Sequence, residues 1–279
     1  MESTMKKLSN ADYQGMRAVS SHWLIEMMKS PADCWRKYID PGRKPQKPTA
    51  SLRFGTLVHG LALTPHQFDN EFIVSDVARR RSVDLAMHST WERAGMTVIS
   101  PTELDKARAV VAALHNHPES RRLLRGGRKE MPIFQPRAAG LLPLKARLDI
   151  LHPTPRQVVE LKTTWSLAKA VDAMERYRYP LSAAFYADRV RARSVVFVFV
   201  QTAPPHDVAV IPRERQQLQA GRDQLETALA KFDACWLANE WPESDPVPDL
   251  DDDPLMMDFM TPKATDRQRF DLPVGELAL

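Results

Sequence analysis

Two carboxylates and one lysine carry the most chemical information in this chain. Leu148-Asp149-Ile150 is followed, ten residues after Ile150, by Glu160-Leu161-Lys162. Alternate residues of a strand share a face, so Glu160 and Lys162 project together. The turn His152-Pro153-Thr154-Pro155 folds the Asp149 strand back against the Glu160 strand, and the two carboxylates approach closely if their faces match. Two carboxylates beside one ammonium suit metal-assisted phosphodiester cleavage. Carboxylates hold Mg²⁺, which takes oxygen ligands and keeps its waters. The metal polarises the phosphate and lowers the pKa of the attacking water, while the lysine orients that water or stabilises developing charge. The triplet alone is weak, because 35 acids and 13 lysines among 279 residues give roughly one or two acid-x-Lys matches by chance. A cross-strand surface ion pair would use the same three residues.

The elements that must position these groups can be read from periodicity and punctuation. Up to about Arg125 the chain reads as helical. Ser20 to Lys29 has amphipathic spacing with Trp23, Leu24 and Met27 on one side, and Ser30-Pro31 opens a second helix as cap and first-turn proline. Pro41 to Pro48 is a basic, proline-rich loop. Leu52 to Leu63 is an apolar run closed by Thr64-Pro65, and a further helix runs from Ser100-Pro101 to about His115. His115 and His117 read as surface residues. From about Lys129 the period changes. Strands are expected at Met131–Gln135, Leu142–Leu151, Gln157–Thr163, Ser194–Gln201 and Val208–Ile211, the fourth buried on both faces. Helices are expected at Ser166–Tyr177, Pro180–Val190 and Arg213–Ala238. That order makes a mixed α/β layer fold.

Composition narrows the function classes. Hydrophobic residues make up 43% and charged residues 27%, the balance of a folded soluble protein. No apolar run reaches the length of a transmembrane helix, and the polar start, Met1 to Asp12, lacks a signal-peptide stretch, so the expected location is cytoplasmic, with no membrane partner. Two distant cysteines, Cys34 and Cys235, cannot supply a four-cysteine cluster. The net charge is +4, but residues 242–279 carry 10 acidic and 3 basic groups, leaving +11 on residues 1–241. Arginine outnumbers lysine 26 to 13, and its planar fork suits phosphate oxygens. A basic body fits a polyanion partner, although arginine-rich codon usage gives the same balance. We expect a single domain over residues 1–241, with a mainly helical part (1–125) and a core (126–241), then an acidic Pro/Asp-rich tail (242–279). No GxxxxGK loop for ATP and no Gly-x-Ser-x-Gly elbow is present.

Several ordered motifs agree with one known family. Leu148-Asp149, Glu160-Leu-Lys162-Thr-Thr, Tyr177-Arg-Tyr179 and Ala184-Phe-Tyr186-Ala-Asp188 resemble the nuclease domain of RecE-type (exonuclease VIII-like) exonucleases. These belong to the PD-(D/E)XK superfamily, which includes lambda exonuclease. Upstream, Phe54-Gly55-Thr56-Leu57-Val58-His59-Gly60-Leu61, running into Pro65-His66-Gln67-Phe68-Asp69, resembles that family's histidine motif. The resemblance spans roughly Leu52 to Trp241. It implies a PD-(D/E)XK core, a central mixed sheet flanked by helices, with an N-terminal helical elaboration.

The resemblance also implies roles. Asp149 and Glu160 match the metal-binding acids, Lys162 the lysine beside the attacking water, and His59 a helix-borne metal ligand. Glu130 sits where the family has an upstream acid, and the Leu161 backbone carbonyl where it has a further metal ligand. Tyr186 matches a tyrosine facing the DNA or the reacting phosphate. Arg53 sits where lambda exonuclease has a basic residue near the terminal 5′-phosphate. Ser182 replaces the family glutamine four residues before the tyrosine; its hydroxyl still donates a hydrogen bond but reaches less far. The implied activity is Mg²⁺-dependent (Mn²⁺ substituting), processive 5′-to-3′ digestion of double-stranded DNA ends. It leaves 3′ overhangs for a single-strand annealing recombination protein, and the enzyme is a ring-shaped homo-oligomer, trimer or tetramer. A PD-(D/E)XK endonuclease and a catalytically silent DNA-binding module on the same fold are the alternatives.

Overall fold

In the computed structural model, which describes residues 13, 15–43, 48–77 and 82–244, Ser30 and Ser100 cap helices where the sequence places them. Helix α1 (Ser21–Lys29) gives way at Ser30, whose hydroxyl accepts from the Asp33 N–H at 3.3 Å and caps α2 (Pro31–Cys34). A π-helical turn follows at Trp35–Ile39. Of the expected Pro41–Pro48 loop, residues 44–47 lie outside the described residues. Thr49 accepts from the Leu52 N–H and opens α3 (Ala50–Leu63). A short α4 (Phe68–Glu71) leads into β1 (Phe72–Val74), which pairs in parallel with β2 (Thr97–Ile99) across α5 (Ser82–Arg93). Ser100 and Glu103 form a reciprocal capping box for α6 (Pro101–Asn116). His117 Nδ1 accepts from the Ser120 N–H and caps α7 (Pro118–Leu124). His117 is therefore half-buried at a cap, while His115 is exposed as expected.

The core sheet has the order β3 (Arg128–Gln135), β4 (Leu144–His152), β5 (Gln157–Thr164), β6 (Ser194–Gln201), β7 (Val208–Glu214). Only β5 and β6 are parallel, and their crossover carries α8 (Ala170–Arg176) and α9 (Tyr179–Val190). The mixed sheet flanked by helices is the architecture the sequence implies. The last helix, α10 (Gln219–Ala238), starts six residues later than expected, because Arg213 and Glu214 still belong to β7. An edge strand tolerates Pro212, whose missing N–H would break a ladder further in.

Strand β6 shows how the two layers are sorted. Val195, Phe197 and Phe199 join a core with Trp23, Leu24, Met27, Phe185 and Phe232, under α1, α9 and α10. Val196, Val198 and Val200 join the opposite core with Leu57, Val58, Leu104, Val110 and Leu114, under α3 and α6. At the far end the Ala32 N–H donates to the Pro242 carbonyl at 3.2 Å, and Glu243 pairs with Arg36. The acidic tail beyond Ser244 lies outside the described residues. No described helix is long and apolar enough to cross a membrane.

Candidate active site and metal group

The sheet forks where the chemistry is. Strand β5 pairs with β6 over all eight of its residues, but with β4 only at Ile150↔Val159, Leu151↔Val158 and His152↔Gln157. Asp149 stands at the crotch. There Asp149 Oδ2 accepts from the Leu161 N–H at 2.8 Å, in place of a backbone carbonyl. Leu148 packs in one core and Ile150 in the other, so the two-residue alternation breaks at Asp149. On the neighbouring strand Glu130 takes φ 50°, a left-handed backbone that costs a non-glycine residue about 1–3 kcal/mol. The register is unbroken on either side, Lys129↔Ile150 and Met131↔Leu148, which sets Glu130 opposite Asp149 although the two do not form a ladder pair.

His59 reaches this point from α3. One ligand atom each from His59, Glu130 and Asp149 lie within 4.8 Å of one another. His59 Nε2 is 2.9 Å from the Leu161 carbonyl, which requires the hydrogen on Nε2 and leaves the Nδ1 lone pair 3.7 Å from Asp149 Oδ1. Beside this group, Lys162 Nζ donates to Glu160 Oε2 at 2.9 Å, the same-face pair that the i, i+2 spacing predicts. Glu160 is 2% exposed and its Oε1 is buried without a partner. Lys162 and His59 keep about a quarter of their side chains open to solvent.

Burial, then the neighbouring Asp149, pushes the Glu130 carboxyl up to about 8 and that of Glu160 to about 7. Asp149 is also raised, chiefly by burial, against the opposing pull of Lys162 and the Leu161 N–H. For Lys162, burial alone would lower the ammonium, but Glu160 and Asp149 together outweigh it and hold it above its ordinary range. Burial, helped by Lys162, lowers His59 to about 4, so its imidazole is neutral.

The remaining sequence candidates lie around this centre. Tyr186 is buried on α9, accepts from Ser21 Oγ at 3.2 Å, and is raised above its ordinary range by burial and by Glu160. Ser182 is buried on the same helix. Leu161 offers its carbonyl to His59 and its N–H to Asp149. Arg53 stands exposed in the first turn of α3 and pairs loosely with Glu103 at 3.7 Å. Two further groups escaped the sequence reading. The Tyr179 ring lies 5.8 Å from Lys162 Nζ and stacks on Phe197; the Tyr177-Arg-Tyr179 motif contained it without giving it a role. Beside the fork Val19 forms a bridge with Leu144 of β4, and no periodicity marked that segment.

Residues 20–245 match a family described as a PDDEXK-like domain of unknown function, DUF3799. The chain belongs to this family. The DUF3799 domain also shares its fold with a candidate exonuclease from Eubacterium rectale, at 12% identity and a TM-score of 0.63, over 92% of this chain and 95% of that one. A phage-related exonuclease from Haemophilus somnus 129PT aligns more loosely, at 11% identity and a TM-score of 0.33, over 76% of this chain and 92% of that one. No curated protein matches the chain.

The donors of the DUF3799 domain suit a divalent cation. Three crowded carboxyls with raised pKa values, a neutral imidazole and the orphaned Glu160 Oε1 are groups that a cation would relieve together. A thermal consequence follows. Without metal, the folded state keeps protons that the unfolded chain releases near pH 4.5, so this contribution to stability is full below that value. It is lost as the pH climbs through about 7 to 8. Saturating divalent cation should displace those protons and raise the melting temperature by about 5–10 °C at 100 times the dissociation constant. At one fixed metal concentration the gain should be larger at pH 8, where fewer protons compete, than at pH 6, and absent in Asp149→Ala. Scanning calorimetry at the two pH values checks both the sign and the site.

Proposed function

We propose that this domain is a Mg²⁺-dependent exodeoxyribonuclease, tolerant of Mn²⁺, that digests duplex DNA processively from 5′ ends and leaves 3′ overhangs. The convergence of Asp149, Glu160 and Lys162 at the fork, with His59 and Glu130 beside them, carries the proposal. The family description and the exonuclease name of the Eubacterium rectale structure support it. His59, Glu130, Asp149, Glu160 and the Leu161 carbonyl would hold the cation. When bound, the cation supplies Lewis-acid polarisation of the phosphate and acidifies the attacking water.

The chain's own groups do the rest. Lys162 stays charged at any working pH, so it serves as a hydrogen-bond donor and positive charge and not as a base. Its ammonium is tethered by Glu160 and flanked by the Tyr179 ring, which limits its directions. Tyr186 keeps its proton and, through Ser21, ties α9 to α1 behind the lysine; Ser182 lies one turn earlier. We assign the terminal 5′-phosphate to Arg53, which is exposed on the helix that carries His59. A ring of three or four copies would supply processivity, and a single-strand annealing protein would take the 3′ strand.

Linear duplex with 5′-phosphate on one or both strands, beside a closed circle and with or without Mg²⁺, tests this. We expect Mg²⁺-dependent loss of the 5′-phosphorylated strand with the circle intact. Linearisation of the circle would make the domain an endonuclease, and no cleavage with any divalent metal would make it a silent DNA-binding fold.

A further inference from the structure

The end of the core sheet away from Lys162 carries arginines from one strand after another. Arg128 opens β3 and pairs with Leu151 near the end of β4. Arg156 immediately precedes β5 and Arg193 immediately precedes β6, and the Arg193 N–H donates to the Arg156 carbonyl at 2.8 Å. The ladder pairs Gln157↔Ser194 and Ser194↔Glu214 then set Arg215, the residue after β7, across from Arg193. Arg191 lies two residues before Arg193. Arg125 joins the same rim, because the Leu123 carbonyl, two residues before it, accepts from His152 Nε2 at 2.8 Å at the end of β4. Four strand spacings of about 4.8 Å put Arg128 and Arg215 about 19 Å apart.

All six arginines are exposed, and among the described residues none of them has a carboxylate within ion-pair reach. Elsewhere arginines find acids: Arg36 pairs with Asp33 and Glu243, Arg137 with Asp233, and Arg222 with Asp188. Glu214 is an exposed acid beside the rim, yet it pairs with none of the six. Arg156 and Arg191 also stand in left-handed backbone, at φ 68° and 52°, where glycine or asparagine would sit with less strain. Crowded like charges repel one another and weaken the fold. What would relieve them is an anion outside the chain, and it must be long. Duplex DNA carries one negative charge per roughly 1.7 Å of its axis, so a rim of about 19 Å faces about eleven of them. The planar guanidinium fork suits phosphate oxygens.

We infer that this rim is a second DNA-contacting surface, at the other end of β5 from Lys162, which grips the phosphate backbone of duplex DNA. It reads no sequence and needs no strand end. From the nuclease proposed above it takes only that the polyanion is DNA. The grip would keep the domain on the duplex whether or not an end occupies the metal group.

Binding of the full chain to a duplex closed at both ends by hairpin loops, in EDTA, tests the rim alone. Arg156→Gln, Arg193→Gln and Arg215→Gln combined should lower the slope of log affinity against log salt by about 2.5–3, close to 0.9 for each lost phosphate contact. At 0.1 M salt the affinity should fall about tenfold or more. Lysine at the same three positions should keep the native slope, because a point charge still displaces a counterion. Arg36→Gln, Arg93→Gln and Lys231→Gln, exposed elsewhere, remove equal charge and together should change the slope by less than about 1. A native slope in the rim variant, an equal loss in that control, or no binding of the closed duplex by the native chain would each overturn the inference. A native chain that binds this duplex but cuts no DNA with Mg²⁺ would count against the nuclease and leave the rim standing.

Discussion

Asp149→Asn should lower the DNA cleavage rate by about 10³-fold while leaving the fold and duplex binding in place. The amide keeps a carbonyl oxygen that can accept from the Leu161 N–H, so the crotch of the fork stays bridged. What it loses is the negative charge that Glu130 and His59 share a cation with in the proposed site. Lys162→Ala should have a similar effect on rate for a different reason. Removing the ammonium leaves Glu160 buried beside an empty place, normally a costly change. Glu160 is already raised to about 7, however, so it takes up a proton and the sheet survives at neutral pH. Single-turnover cleavage with Mg²⁺, and duplex affinity measured with Ca²⁺, separate catalysis from binding. Native cleavage in either variant would remove these residues from the chemistry.

The largest effect on stability is expected away from the metal group, at Gly221→Ala. Glycine inside a 20-residue helix costs about 1 kcal/mol relative to alanine, so an alanine there would ordinarily stabilise α10. At position 221 a Cβ would run into the Pro180 carbonyl of α9 and come within 3.2 Å of Ala184 Cβ. The obstacle is backbone, which cannot rotate away, and overpacking of this kind costs about 1–3 kcal/mol or more. A net loss of about 2 kcal/mol should lower the melting temperature by about 4–8 °C. Activity should fall too, because α9 carries Tyr179 and Tyr186 against the lysine. A melting curve matching the native one would mean that the two helices separate at no cost.

The legible parts of the site were those whose geometry follows from spacing. The i, i+2 relation of Glu160 and Lys162 and the turn at His152–Pro155 sufficed to place the lysine pair opposite the Asp149 strand. His59, from a helix 102 residues before Leu161, was within reach only through the family's motif order. Helix α5 was missed because its buried face holds Asp84 and His88 while Val83, Leu85 and Met87 are exposed, the reverse of the pattern a periodicity search uses. Strands β1 and β2 have three residues each, too short for alternation to register. The fork could not be read either, since a strand that leaves its neighbour halfway keeps the same apolar alternation until the break at Asp149.

The uneven pairing of β5 also sets the moment at which the site can exist. Three ladder pairs join it to β4, which precedes it, and eight join it to β6, which follows. Pairing with β6 must wait for the crossover through α8 and α9, the slow, long-range step of a parallel connection. A chain still emerging from the ribosome, finished as far as Lys162 but short of Gln201, already contains His59, Glu130, Asp149, Glu160 and Lys162. It lacks the strand that holds the last two in line. Under the proposed function, synthesis itself would therefore keep the newborn chain inactive until the crossover closes.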